Sequence, residues 1–388
     1  MGLNQPVRVL VVDDQEMVFE KIRSLFYGES VEFAYVADPT EALDVAEKFQ
    51  PTVILLDLIM PQMEGLTLLK FFRAKTATKE VPVVVLSMKE EDVVKAEAFS
   101  AGANDYLVKL PGKEELVARV LYHSQAYHSV TERRMAYDKL EQSQEELKKD
   151  LADAACYVQS LLPSFERGEV KSEWKFVPSV ILGGDIFDYH WISNRYFVFY
   201  LLDVCGHGVG AALLSVTLSS VLKNQSLPGA DFLSPAEVLR ELNRQFPMES
   251  HNEMFFTIWY GVYDKETGLL TYSSGGHPPA FYLPSEEAGQ PFEKLSTTCP
   301  VVGVDEGLMF HQVERFVGPR DRLLLFSDGL VELKTEGGRI TDLSDFEHLV
   351  RKAESEKGSL VEQIWQRVNA PSEGYEYFDD CSLLLIQF

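Results

Sequence analysis

The sequence predicts an α/β domain, then one long helix, then an α+β domain. Three observations support this order. Short apolar runs alternate with amphipathic segments in the first third of the chain, residues 113–162 contain neither glycine nor proline, and strand-like runs follow one another in the last half. The expected boundaries are residues 1–124, 125–163 and 164–388.

In the first part, continuous apolar strands separated by helices indicate a parallel sheet that is covered on both faces. The predicted strands are Val7–Val12, Val31–Val36, Val53–Leu56, Pro82–Leu86 and Asp105–Val108. The predicted helices between them are Met17–Phe26, Thr40–Phe49, Leu66–Arg73 and Asp92–Ser100.

Polar residues occupy the carboxyl ends of these strands, where parallel sheets bind their ligands. They are Asp13, Asp14, Asp57, Ser87 and Lys109. Three carboxylates suit a hard cation such as Mg²⁺. Asp57 could act as a nucleophile toward phosphorus, and Lys109 would neutralise the transferred phosphoryl group. Any one of these residues alone is more often a loop acid or a surface lysine, but the set predicts phosphoryl chemistry.

These residues, with Asp57 inside L-D-L-I-M-P-Q-M-E-G, resemble the response-regulator receiver domain over the whole segment. The resemblance implies that Asp57 is the phosphoacceptor. It implies that Asp14, Asp57 and the Ile59 carbonyl hold Mg²⁺, with Asp13 in support.

The same resemblance makes Ser87 and Tyr106 a switch pair that moves when Asp57 is phosphorylated. Tyr106 could equally be an ordinary strand-edge aromatic residue. One position departs from the family pattern, because Leu110 stands between Lys109 and Pro111 where proline usually follows the lysine directly.

A heptad pattern marks the predicted linker helix, which Pro163 ends. The pattern spans about three heptads and favours a parallel coiled-coil dimer. Gln144 at an a position would set the register of such a dimer, or could equally be a solvated residue of the seam. A single amphipathic helix lying on its own domain is the alternative. The seam residues are Leu140, Gln144, Leu147, Leu151, Ala154, Val158 and Leu161.

Runs of strands with separate helices in the last part indicate an α+β sandwich with largely antiparallel sheets. The predicted strands are Tyr196–Leu202, Phe255–Tyr263, Leu270–Ser274, Pro279–Leu283, Leu323–Ser327 and Ser382–Phe388. The predicted helices are Gly210–Lys223, Pro235–Gln245 and Ser359–Val368.

Carboxylates again lie at predicted strand ends or beside glycine, at Asp185, Asp203, Asp328 and the pair Asp379-Asp380. A two-metal hydrolytic centre needs such a set, because bridging carboxylates hold two cations that activate a shared water for attack on phosphorus. Ligation by oxygen alone favours Mg²⁺ or Mn²⁺ over zinc.

The ordered motifs G-G-D, D-V-x-G-H-G, G-G-H-P-P, S-D-G-L-x-E and D-D-x-S resemble the metal-dependent (PPM-type) protein serine/threonine phosphatases of the bacterial sporulation and stress-response branch. The resemblance implies that Asp185 and Asp203 bridge two metals, and that the Val204 carbonyl is a ligand of one of them. Asp328 and Asp379 would complete the second site, and whether Asp379 or Asp380 is the ligand stays open.

Four further residues in these motifs have weaker claims to a role. Asp188 could bind a metal water, although capping a turn is the preferred interpretation. His207 and His277 could position phosphate or protonate the leaving serine, but a structural role is preferred for each. Nothing beside Cys205 suggests a reactive thiol.

The composition excludes several classes of partner. A net charge of −24 leaves no basic stripe for nucleic acid. No apolar run is long enough for a membrane span, and no signal peptide is recognisable. The four cysteines are far apart, so neither disulfides nor zinc are indicated, and we expect a reduced, cytoplasmic protein.

Together, the resemblances predict a response regulator whose output is dephosphorylation of a protein. A histidine kinase or phosphotransfer protein would phosphorylate Asp57. The family's usual substrate is a phosphorylated anti-anti-sigma (STAS) protein, and the linker would make a homodimer. A non-catalytic adaptor that uses the phosphatase fold only to bind proteins is the alternative.

Overall fold

The structure is a computed structural model that describes residues 6–88, 91–109, 111–179, 181–285, 292–334, 340–369 and 379–388. The chain forms two compact units, Met1–Glu145 and Glu146–Phe388. No helix in these described ranges is both long enough and apolar enough to span a membrane.

The first unit contains a five-stranded parallel sheet with the order β2-β1-β3-β4-β5. Its strands agree with the predicted ones to within one residue at each end. They are β1 (Val7–Val12), β2 (Val31–Val36), β3 (Val53–Asp57), β4 (Val83–Ser87) and β5 (Asp105–Val108).

Helices cover both faces of this sheet, as predicted. Alternate side chains of a strand point to opposite faces, so Val9 and Val11 lie in one core while Leu10 and Val12 lie in the other. The helices between the strands are α1 (Glu16–Leu25), α2 (Ala42–Phe49), α3 (Gly65–Ala74) and α4 (Asp92–Ser100).

One helix, α5 (Lys113–Ser160), follows β5 and is 48 residues long. It lies within the stretch 113–162 that contains neither glycine nor proline, and it ends before Pro163. Its buried residues are Leu116, Val120 and Ser124, all near its start. Leu140 and Leu147 of the heptad seam are 54% and 59% exposed.

The second unit is a sandwich of two five-stranded sheets, ordered β13-β10-β9-β8-β7 and β12-β11-β14-β15-β6. Every pairing in them is antiparallel. The strands are β6 (Lys171–Val177), β7 (Ile186–Trp191), β8 (Tyr196–Val204), β9 (Phe256–Asp264), β10 (Leu269–Gly275), β11 (Ala280–Leu283), β12 (Glu293–Leu295), β13 (Val313–Phe316), β14 (Arg322–Phe326) and β15 (Cys381–Gln387).

Four helices flank the sandwich and produce three apolar layers. Along β8, Phe197, Phe199 and Leu201 enter the core between the sheets, whereas Val198 and Tyr200 pack toward α6 and α7. A third layer lies between the other sheet and α8 and α9. The helices are α6 (Val209–Lys223), α7 (Pro235–Gln245), α8 (Leu343–Glu354) and α9 (Leu360–Val368).

The α+β sandwich is confirmed, but the sequence prediction missed β6, β7, β12, β13 and α8. Strand β7 was missed because Asp188 and His190 interrupt its apolar pattern, although both face the interior. Helix α8 carries a capping box between Asp342 and Asp345, a local signal that could have revealed it.

Candidate functional site

The first site lies at the edge of the parallel sheet where β1, β3 and β5 end. The Lys109 ammonium is 2.6 Å from Asp57 Oδ2 and 3.0 Å from Asp13 Oδ2. Carboxylate oxygens of Asp13, Asp14 and Asp57 all lie within 4.8 Å of one another. Parallel strands bring their carboxyl ends to one edge, so the structure assembles this set as the sequence predicts.

The backbone around Asp57 is held by close local contacts. The Ile59 amide donates to Asp57 Oδ1 at 3.3 Å, and the Gln15 amide donates to Asp13 Oδ1 at 3.0 Å. A Cβ atom on Gly65 would lie 2.2 Å from the Asp57 carbonyl oxygen. The loop after β3 can therefore pack against the end of that strand only because residue 65 is glycine.

Burial and charge oppose each other in this cluster. Burial raises the pKa of Asp13, and the Lys109 ammonium only partly offsets it. Burial also disfavours the charged form of Lys109, but hydrogen bonds to Asp57 and Asp13 outweigh it and raise its pKa. Asp14 Oδ1 is buried and has no hydrogen-bond partner among the described residues. An oxygen-only set with such an unpaired oxygen fits Mg²⁺.

Ser87 ends β4 and is buried. Tyr106 lies on β5, opposite Val85, and is 8% exposed because it packs with Leu58, Val85 and Ala98. β5 is an edge strand, yet the Tyr106 ring points into this cluster. Leu110, the departure from the family pattern, lies outside the described residues.

The second site forms at one end of the sandwich. Asp185 directly precedes β7 and Asp203 lies near the end of β8, and the pairing of Ile186 with Leu202 places these two acids side by side. Asp328 follows β14 and Asp379 precedes β15 in the other sheet. The structure therefore brings together all four acids that the sequence proposed as metal ligands.

The two members of the Asp379-Asp380 pair have different surroundings. Both Asp380 oxygens accept hydrogen bonds, Oδ1 from the Ser179 amide at 2.8 Å and Oδ2 from the Gly184 amide at 2.6 Å. A Cβ atom on Gly183 would lie 2.2 Å from Asp380 Oδ2. Asp380 thus anchors the G-G-D loop, whereas the hydrogen bond that Asp379 Oδ1 accepts within the described ranges comes from the neighbouring Asp380 amide at 2.8 Å.

Burial and mutual repulsion raise the pKa values of the clustered acids. Burial, then the charge of Asp203, raises the pKa of Asp185 well above its usual value. The pKa of Asp203 is raised to about 7, mainly by burial and then by the charges of Asp328 and Asp379. The pKa of Asp328 is raised to about 6, mainly by burial and then by the charge of Asp379.

Such crowded carboxylates need a positive charge to become ionised together. Asp328 Oδ1 is buried without a hydrogen-bond partner among the described residues. Ser382 Oγ donates to Asp185 Oδ2 at 2.6 Å and fixes the orientation of that carboxylate. The oxygen-only donor set fits divalent cations such as Mg²⁺ or Mn²⁺.

Residues 193–388, half of the chain, match the family described as Stage II sporulation protein E (SpoIIE). The chain belongs to the SpoIIE family. Residues 9–121 match the response regulator receiver domain. The chain is therefore a receiver domain followed by a SpoIIE (PP2C-type) domain.

Two curated relatives resemble the chain beyond the SpoIIE domain. The phosphoserine phosphatase RsbU of Bacillus subtilis is 28% identical over 265 residues, which are 65% of this chain and 75% of RsbU. The phosphoserine phosphatase RsbP of the same organism is 27% identical over 231 residues, 58% of this chain and 54% of RsbP.

A solved structure supports the fold of the second unit. The SiaA-PP2C domain of Pseudomonas aeruginosa is matched with a TM-score of 0.50 and 18% identity, over 63% of this chain and 98% of that domain. At this identity the likeness shows the fold alone.

The preferred interpretation of Asp188 as a turn cap is wrong. Asp188 lies inside β7 of the SpoIIE domain, opposite Tyr200, and is 1% exposed. Its Oδ2 is 3.0 Å from the Lys223 ammonium at the end of α6. A buried carboxylate needs a countercharge, so Asp188 ties β7 to α6.

The two motif histidines differ in environment. His277 is buried, its Nδ1 lies 2.8 Å from Thr257 Oγ1, and burial lowers its pKa to about 3. A neutral, enclosed imidazole of this kind is structural. His207 is exposed in the loop before α6, so its side chain is not part of the core. Cys205 Sγ accepts a hydrogen bond from the Phe255 amide at 3.1 Å.

Sequence reasoning missed the serines that orient these acids. Ser382 holds Asp185, and Ser327 Oγ donates to the Asp380 carbonyl at 2.9 Å. Ser382 was visible as the last member of D-D-x-S and Ser327 as the first of S-D-G-L. Ser179 could not be identified from the sequence, because it is 201 residues away from Asp380 and contacts it only in the folded chain.

Proposed function

We propose that the chain is a metal-dependent protein serine/threonine phosphatase whose activity is controlled by phosphorylation of Asp57. The observation that carries the proposal is the convergence of Asp185, Asp203, Asp328 and Asp379 at one end of the sandwich, with pKa values raised by burial and by the charges of neighbouring carboxylates. Membership in the SpoIIE family and the likeness to two phosphoserine phosphatases support it.

Each acid has a distinct part in the proposed centre. Asp185 and Asp203 would bridge two cations, with the Val204 carbonyl as a further oxygen ligand. Asp328 and Asp379 would hold the second cation. Asp380 is not assigned as a ligand, because its two oxygens already accept hydrogen bonds from Ser179 and Gly184.

Two Mg²⁺ or Mn²⁺ ions would activate a water molecule and neutralise the phosphate of the substrate. The protein's own residues hold the oxygens in place. Ser382 orients Asp185, and Asp380 fixes the glycine loop that carries Asp185. No serine, cysteine or histidine nucleophile is needed, which agrees with the enclosed positions of His277 and Cys381.

The proposed substrate is a phosphoserine or phosphothreonine on a STAS-type anti-anti-sigma protein. This assignment rests on the resemblance to the stress-response branch, and the names of RsbU and RsbP agree with a phosphoserine substrate. A histidine kinase or phosphotransfer protein would phosphorylate Asp57.

Regulation is proposed to pass through α5. In the receiver, Asp57, Lys109, Ser87 and Tyr106 would respond to phosphorylation, with Mg²⁺ held by Asp13, Asp14, Asp57 and the Ile59 carbonyl. The helix α5 continues from the receiver without a break and carries an exposed heptad seam. We therefore propose that a second copy covers this seam and forms a parallel dimer.

Hydrolysis of para-nitrophenyl phosphate by the full chain tests the catalytic proposal. We expect turnover that requires Mn²⁺ or Mg²⁺ and falls at least 100-fold in Asp203→Asn and Asp379→Asn, because each change removes a charged ligand. Asp305→Asn is the matched control, since Asp305 is exposed on a loop and asparagine keeps the oxygen that accepts from Gly307.

Full activity in the two ligand variants would contradict the proposed centre. If the wild-type chain is inactive with either metal on both para-nitrophenyl phosphate and a phosphorylated STAS protein, the adaptor function becomes the better explanation.

A further inference from the structure

The exposed side of α6 changes character along its length. Its outward positions are Val209 and Leu213 at the first turns, then Thr217 and Ser220 further along. The opposite side is buried, with Ala211, Ala212, Leu214 and Leu218 in the core. An amphipathic helix normally presents polar residues to water. Here the far half does so, whereas Val209 and Leu213 are 49% and 63% exposed.

The apolar half of this face is the half that adjoins the metal-binding acids. Helix α6 begins directly after the loop that follows Asp203 and Val204. A Cβ atom on Gly184 would lie 2.6 Å from the Val204 carbonyl oxygen and 3.4 Å from Ala211 Cβ, so the glycine loop before Asp185 lies against the start of α6.

Ile181 extends the same apolar surface on the other side of that loop. The Gly208 amide donates to the Leu182 carbonyl at 3.3 Å, which brings residues 181–182 next to the first turn of α6. Ile181 is 38% exposed. The three exposed aliphatic side chains, Ile181, Val209 and Leu213, are called the apolar rim below.

We propose that the apolar rim is the docking surface for the protein that carries the phosphoserine, and that it selects a phosphoserine with apolar neighbours on a folded protein. The inference rests on the proposed phosphatase function and specifies its substrate. Exposed apolar side chains grouped at one place commonly mark a protein-binding surface.

Position and charge both favour this occupant. A phosphoserine that reaches the acids must bring the surrounding surface of its protein against the residues beside them. Glu332 is exposed beside the same centre, because its amide donates to the Asp328 carbonyl at 2.8 Å. Acidic neighbours of the phosphoserine would be repelled there, whereas apolar neighbours can bury the rim.

The test compares two substrates on the full-length protein. One is a purified STAS-domain protein that carries a single phosphoserine, and the other is para-nitrophenyl phosphate, which is too small to cover the rim. In Leu213→Ser and in Val209→Ser, kcat/KM for the phosphoprotein is expected to fall about tenfold or more, while turnover of para-nitrophenyl phosphate stays within about twofold of wild type.

Two further variants serve as controls. Leu213→Met keeps an apolar side chain of similar volume and should restore most of the phosphoprotein activity. Phe316→Ser removes from β13 an apolar side chain that is 73% exposed. Phe316 pairs with Leu269, and the sheet register places that pair at the end of the strands opposite to Asp203. It should leave both activities unchanged.

Each alternative result overturns the inference in a recognisable way. Unchanged phosphoprotein turnover in both serine variants would show that the rim does not contact the substrate. A parallel loss with both substrates would show that these residues shape the metal site instead. A changed sedimentation coefficient in Leu213→Ser would show that a second copy covers the rim. If the wild type hydrolyses para-nitrophenyl phosphate but not the phosphoprotein, both the proposed substrate and this inference are wrong. If it hydrolyses neither, the proposed function itself is wrong.

Discussion

Neighbouring aspartates in this chain meet the cost of burial in different ways. Asp380 is 2% exposed and receives hydrogen bonds from Ser179 and Gly184, so its charge is stabilised by the protein itself. Asp328 keeps a buried oxygen without a partner among the described residues. Because an unpaired buried carboxylate is costly, the first is suited to hold structure and the second to hold a cation.

His277 provides a prediction about stability and pH. Burial lowers its pKa from 6.5 to about 3, so the folded state keeps it neutral while the unfolded chain takes up a proton below pH 6.5. The stabilisation is complete above pH 6.5 and is lost as the pH falls toward 3. Through this histidine, lowering the pH from 7 to 5 should reduce the free energy of unfolding of the wild type by about 2 kcal/mol.

Urea unfolding at the two pH values measures this effect. The free-energy advantage of the wild type over His277→Gln should shrink by about 2 kcal/mol from pH 7 to pH 5, since glutamine does not titrate. His348→Gln on the exposed side of α8 is the matched control and should show no such change. An equal difference at both pH values would mean that His277 is protonated in the folded protein.

At the scale of the element, α5 is the most unusual feature. Its first turns pack on the receiver sheet through Leu116 and Val120, and Ser124 Oγ donates to Thr52 Oγ1 at 2.7 Å. Residues 132–150 are exposed throughout. A helix with so long an exposed stretch buries little apolar surface by itself, and this is the physical basis of the proposed pairing of two such helices.

The dimer prediction concerns this seam. Substituting both Leu147 and Leu151 with lysine should convert dimers into monomers in sedimentation analysis, because two buried charges would replace apolar contacts in each helix. The same variant should lose the response of phosphatase activity to beryllofluoride, a mimic of the phosphoryl group on Asp57.

Gln142→Lys with Ala152→Lys is the matched control, since it adds the same charge at exposed positions outside the seam. It should remain dimeric and responsive. Unchanged sedimentation together with an unchanged beryllofluoride response in the Leu147 and Leu151 variant would show that α5 does not act through pairing.

At the scale of the whole molecule, the chain separates signal input from chemistry. The receiver acids lie in the unit Met1–Glu145, and Asp185, Asp203, Asp328 and Asp379 lie in the unit Glu146–Phe388. Each set is complete within its own unit. The proposed control of one set by the other is therefore expected to act through a change in the populations of conformational states.

Asp57→Asn tests this separation. The variant should hydrolyse para-nitrophenyl phosphate at a rate within about twofold of the unstimulated wild type, and beryllofluoride should no longer change that rate, because the acceptor carboxylate is gone. Asp44→Asn, on an exposed side chain of α2, is the control and should respond like the wild type. A beryllofluoride effect that persists in Asp57→Asn would place the control outside the receiver site.

Much of the receiver site could be predicted from sequence, because strand ends are recognisable locally and a parallel sheet brings them to one edge. Asp13, Asp57 and Lys109 meet for that reason. The four acids of the SpoIIE domain were also found, since each stands beside glycine or at a strand end. Asp188 was misinterpreted, because a polar residue in an apolar run resembles a turn until the partner helix with Lys223 is known.

The sequence by itself determined the two fold classes, the long helix and the acids that define both sites, because these depend on local periodicity and on residues at the ends of strands. Only the tertiary structure decided that both Asp380 oxygens accept hydrogen bonds from the distant Ser179 and Gly184 amides, and that Val209 and Leu213 are exposed at the start of α6. Hydrogen-bond partners distant in sequence and the exposed side of a helix are properties of the packed chain, and no local pattern encodes them.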